Sequence, residues 1–161
     1  MMGAISSVPD LVEAARSNAK ASEARISELR QENAEAELQE AVTALELVAV
    51  DIFSVFEARM QHHFKRGPFS RKLKQLLVDS GETDLADKLH SYYLAINVLK
   101  HGKGASYREM VASKSPFLAD APDTQSDGDD APRTFVDVNV PGFFEGLTET
   151  ILEAYHFLNG K

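Results

Sequence analysis

The run TDLADKLHSYYLAINVLKHG, residues 83–102, decides the fold. Leu85, Leu89, Tyr92, Ile96 and Leu99 recur in it at steps of 4, 3, 4 and 3, the spacing that gathers apolar side chains on one face of an α-helix. Thr83 opens this helix. Gly102 closes it, as the residue type that most readily takes a left-handed conformation after a last turn. A second row, Ala86, His90, Tyr93, Asn97 and His101, flanks the apolar stripe at steps of 4, 3, 4 and 4.

Upstream, the pattern stays helical. Ser7 is a natural N-cap, Asp10 its capping-box partner, and Pro9 fits a first turn that has no use for its N–H. From there to about Phe64 there is neither proline nor glycine, and QENAEAELQEAVTALE (residues 31–46) is almost all strong helix formers. The apolar stripe is thin at first, with Leu11, Val12, Ala15, Ile26 and Leu29. It thickens through Leu38, Val42, Leu45, Ile52, Phe56 and Met60. One helix over residues 10–64 would be about 80 Å long, too long for a small domain. Either the chain breaks near Asn33, or its first part projects and packs on a second chain. The thin stripe favours a partner, and a homodimer is expected.

Between the two regions, Gly67-Pro68 ends the long segment and Ser70 is expected to cap a short helix, 71–79, with Leu73, Leu76 and Leu77 inward. Downstream, Ser106-x-x-Glu109 reads as a capping box opening another short helix. Residues 113–134, rich in Pro, Asp, Ser and Gly, read as a mobile acidic loop. Phe135–Val138 alternates like a short extended piece, and Phe144, Leu147, Ile151, Ala154, Tyr155 and Leu158 build a final amphipathic helix. The sum is an all-α helical bundle of about five helices with a long N-terminal helix or helix pair. Its expected division is an intersubunit extension, residues 1–37, and a bundle domain, residues 38–161.

Charge narrows the function. The net charge is −8, which argues against a general nucleic-acid binder, but it is unevenly spread. Residues 1–58 carry 4 Lys/Arg against 11 Asp/Glu, residues 59–114 carry 11 against 5, and residues 115–161 carry 2 against 9. The middle is a basic island between acidic flanks. Arg59, Lys65, Arg66, Arg71, Lys72 and Lys74 lie in a stretch free of acids around Gly67-Pro68, suited to RNA phosphate, to an acidic partner, or to pairing with the acidic flanks. There is no cysteine, so disulfides and thiolate metal sites are excluded. His62 and His63 are adjacent and point apart. Asp123, Asp127, Asp129 and Asp130 do not have calcium-loop spacing. No metal and no cofactor is expected. No apolar run approaches the ~20 residues of a membrane span, and the start lacks a secretory signal, so no membrane partner and a cytoplasmic location are expected.

The chemically suggestive spot is the end of the 83–101 helix. Asn97 and His101 stand i, i+4, close enough for their side chains to touch, and the last turn favours a protonated imidazole. Lys100, Lys103, Gly104 and the N-terminal amides of the next helix at Ser106 follow within a few residues, a setting suited to an anion. The alternative is a plain helix end, with His101 bonding the last carbonyls.

A helix ending Asn97-Val98-Leu99-Lys100-His101 in a small bundle behind a long helix pair resembles the HEPN superfamily. That resemblance, spanning about residues 38–158, implies an all-α, commonly dimeric domain from toxin–antitoxin or phage-defence systems, many members being metal-independent ribonucleases. Their motif, Arg-x(4–6)-His, would put arginine at Ile96, Ala95 or Leu94, and none of these is basic. The resemblance implies that His101, with Asn97, would be the catalytic residue of an active member. Without arginine it implies a non-catalytic module binding RNA, a nucleotide or a protein through Lys100, Lys103, Gly104, Ser106, Arg66, Arg71, Lys72 and Lys74. Two alternatives remain: a ribonuclease using Lys100, Lys103 or Arg108 as displaced cation, and a purely structural or regulatory helical dimer.

Overall fold

A computed structural model describes residues 7–61, 64, 67–102, 104–118, 136–140 and 142–159. Among them are six helices: α1 (Val8–Glu32), α2 (Glu35–Met60), α3 (Phe69–Asp79), α4 (Thr83–His101), α5 (Ala105–Ala112) and α6 (Phe143–Asn159). The fold is an all-α bundle, with an antiparallel bridge between Leu118 and Val136 as its only strand-like pairing in the described residues.

The N-terminal pair forms as local chemistry dictates. Ser7 Oγ accepts from the Asp10 amide at 3.2 Å and Asp10 Oδ2 accepts from the Ser7 amide at 3.4 Å, closing a capping box. The break falls at Asn33, which takes the left-handed conformation (φ 57°, ψ 32°) that asparagine tolerates better than most residues. After Ala34 the chain reverses into α2, giving a helical hairpin with a two-residue loop.

The thin stripe of α1 finds its cover inside the chain. Val8, Val12, Ala15, Ala19, Ile26 and Leu29 are buried, and α1 packs on α2 and α6. Two alanines in that row let the helices approach closely, so few large side chains are needed. Arg16 fastens the packing, its Nε donating to Thr148 Oγ1 on α6 at 2.9 Å. Among the described residues one core cluster takes in side chains from Val8 to Leu158.

α4 is the central helix, packed by α2, α3, α5 and α6. Besides the expected Leu85, Leu89, Tyr92 and Ile96, it buries Ala86, Leu94, Ala95 and Val98. Leu99 is only partly buried. Ala86 therefore belongs to the core and not to the polar row. Tyr92 anchors α6: its hydroxyl donates to the Phe143 carbonyl at 2.9 Å, and its ring lies 5.4 Å from that of Phe143 and 4.7 Å from that of Phe117. Gly146 passes directly against the Tyr92 hydroxyl, where a Cβ would collide. Because Phe117 packs on these rings and the Asp137 amide donates to its carbonyl at 2.9 Å, residues 113–118 are tied down and do not begin a free loop. The aspartates of 119–135 lie outside the described residues.

Candidate functional site

α4 ends as expected at His101. Gly102 donates to the Val98 carbonyl at 2.8 Å and adopts φ 78°, ψ −149°. That conformation is not the left-handed helical one, but it lies in a region essentially reserved for glycine. The backbone is extended at Gly104, and α5 starts at Ala105 with no side-chain cap. His101 is exposed and makes no side-chain hydrogen bond or ion pair among the described residues. Lys103 lies outside those residues.

Asn97 does not reach for His101. Its Nδ2 donates to Ser106 Oγ at 3.2 Å, across to α5. Two turns earlier, His90 Nε2 meets Glu109 Oε2 at 2.7 Å, and the His90 ring stacks on Tyr93 at 6.0 Å. The expected capping box of Ser106 and Glu109 is therefore absent. Both residues face α4 instead, because half-buried polar partners there outcompete a local cap. The polar row of α4 thus serves as the seat of α5.

The other side of the α4 terminus meets α2 and α3. Ser70 does not cap α3, whose N-cap is Pro68. Its hydroxyl donates to Glu57 Oε2 at 2.9 Å. Burial raises the pKa of Glu57, while the Ser70 hydrogen bond and the charge of Lys100 pull it back down. Glu57 escaped the sequence reading. Its only signal was an acid inside the apolar run that ends α2. Its role is to join the start of α3 to the end of α4. Lys100 acts on it through its charge alone and stays exposed.

This junction brings part of the basic island beside the α4 terminus. Arg71 and Lys72, the third and fourth residues of α3, are exposed, and Lys74 is half-buried. Lys72 folds its stem over Gly67, where a Cβ would meet its Cε at 2.7 Å. Arg66, Lys65, His62 and His63 lie outside the described residues. Arg108, on α5, is exposed.

A cavity among the described residues lies elsewhere. It holds about 350 Å³ between α1 and the start of α6, lined by Glu13, Arg16, Lys20 and Glu145 among others. Among the described residues no three His, Asp or Glu side chains converge as metal ligands, and no helix is long and apolar enough to cross a membrane. Comparison with protein-family models, with curated proteins and with solved structures finds no match for this chain.

Proposed function

We propose that this chain is a HEPN-like helical interaction module, dimeric and cytoplasmic, that binds RNA or nucleotide phosphate without cutting it, in a toxin–antitoxin or phage-defence setting. The observation that carries the reading is the Glu57 junction. Glu57 accepts from Ser70 at the basic start of α3, and the charge of Lys100, one residue before His101, reaches its carboxylate, so the two basic ends lie on one side of Glu57. A single exposed cation holds a phosphate weakly. Several at one corner add their fields and release condensed counterions on binding.

The non-catalytic part rests on two features of α4. Ile96, Ala95 and Leu94 stand where the resemblance calls for arginine, and all three are buried. Asn97, the other half of the motif, is committed to Ser106. Loss of one donor to a developing oxyanion already costs about 3–4 kcal/mol of transition-state stabilisation. The corner therefore keeps an anion-binding arrangement without the groups that would turn binding into hydrolysis.

The test is incubation of purified protein with single-stranded RNA in excess EDTA. The reading expects salt-sensitive binding and intact RNA. Cleavage lost in His101→Ala would show an active ribonuclease and overturn the non-catalytic assignment. Absence of binding at low salt would remove RNA and leave an acidic protein as the partner for this corner.

A further inference from the structure

α2 is packed on one side only. Over residues 41–60 it carries four charged residues, Glu46, Asp51, Glu57 and Arg59, and burial raises the pKa of both Glu46 and Glu57. Its outward row is Glu40, Ala44, Leu47, Asp51 and Ala58, all exposed. Leu47 leads this row at 62% exposure, the highest of the large apolar side chains described. Ala44 and Leu47 give the row an apolar centre between the carboxylates of Glu40 and Asp51.

We infer that a second copy of this chain covers that row, α2 packing antiparallel on α2 about a two-fold axis at Leu47. Leu47 is twelve residues from the first residue of α2 and thirteen from the last, so it is the midpoint of the helix. An antiparallel pair centred there overlaps along its whole length, about 39 Å. The register is self-complementary. It sets Ala44 against Val50, Thr43 against Asp51, Glu40 against Ser54 and Ala36 against Ala58. Each acid on the row then meets a hydroxyl, and Glu37 comes level with the partner copy's Glu57, whose carboxylate is turned to its own Ser70. A two-fold contact uses one patch on both subunits, and an odd central residue meets its own copy.

Charge fixes the direction. The first turns of α2 present exposed Glu35, Glu37 and Glu40, whereas Arg71 and Lys72 are exposed near its far end, held there by the Ser70–Glu57 bond. Antiparallel packing brings the acidic end of each helix toward the basic end of the other, and parallel packing would set acid on acid. A groove of about 340 Å³ beside the row, lined by Ala21, Arg25, Glu37, Glu40, Ala41 and Ala44, widens the contact onto α1.

This inference specifies the interface of the dimer proposed above, and the experiment separates the two. The chain has no cysteine, so Leu47→Cys introduces a single thiol. Helix axes about 8–10 Å apart, with Cα atoms about 2.3 Å off each axis, leave two facing Cα atoms within disulfide range. Leu47→Cys should form a cross-linked dimer under mild oxidation, at least tenfold faster than Val78→Cys, whose side chain is exposed on α3. Light scattering should show the wild type dimeric and Leu47→Glu monomeric with unchanged circular dichroism. A dimeric wild type with no preferential Leu47→Cys cross-link and a Leu47→Glu still dimeric would overturn this interface and leave the dimer reading standing. A monomeric wild type at high micromolar concentration would overturn both.

Discussion

α4 packs against four other helices, α2, α3, α5 and α6, whereas α2 leaves a row with Leu47 at its centre in the open. The contrast separates two ways of satisfying an apolar helix. α4 is largely covered by its own chain, and His90 and Asn97 of its polar row are used in seating α5. α2 buries its own Ile52, Phe53 and Phe56 on its inner face and leaves Leu47 open on its outer one. Equal changes in the two helices should therefore have unequal effects.

The largest difference is expected from truncation. Ile96→Ala on α4 should cost about 2–5 kcal/mol in urea unfolding, since Ile96 is 1% exposed and its site cannot collapse freely. Leu47→Ala, measured at dilutions where the chain is monomeric, should stay within about 0.5 kcal/mol. Similar losses at both positions would erase the distinction. Next comes Gly146→Ala, which should destabilise by about 1–3 kcal/mol, because the added methyl strikes the Tyr92 hydroxyl and loosens α6 from α4. Burial and the nearby charge of Glu149 push the Tyr92 pKa up to about 12. Displacing the ring toward water should move its titration back toward 10, readable from tyrosinate absorbance.

How much of this was legible in the sequence depends on the range of the forces. The Ser7–Asp10 cap, the break at Asn33 and the end at Gly102 are decided within four or five residues, and reading them locally succeeds. Ser70 and the Ser106–Glu109 pair carry the same local signature and do something else, because Glu57, Asn97 and His90 lie 9–19 residues away in sequence and adjacent in space. A cap pattern cannot reveal such competitors. The inward packing of α1 was hidden for a related reason. Ala15, Ala19 and Arg16 look weak as a stripe, and their value lies in how closely α6 approaches them.

Two smaller effects sharpen the comparison. Glu46 on α2 has a buried Oε2 with no hydrogen-bond partner among the described residues, and burial raises its pKa from the usual 4.5. The folded state thus holds this proton to higher pH than the unfolded chain. Stability is fully present below about pH 4.5 and declines as pH rises from there through the folded pKa. Glu46→Gln should therefore stabilise by about 0.5–1 kcal/mol at pH 7, and the gain should vanish below pH 4.5, as thermal melts across that range would reveal. On α4, Glu109→Gln weakens the contact with His90, and with the Glu109 side chain half in water the cost should stay below about 1 kcal/mol. Amide exchange should show it confined to α5.

The central claim is that the corner around Glu57 binds phosphate through the basic start of α3. It is tested most directly by the salt dependence of binding to a single-stranded RNA, followed by fluorescence anisotropy for the wild type and for the Arg71→Gln/Lys72→Gln double variant. Each phosphate neutralised on a single strand contributes about 0.7 to the slope of log K against log salt, so the double variant should lose about 1.4 from that slope and bind more weakly. An unchanged slope and affinity, in a variant that melts like the wild type, would contradict the account.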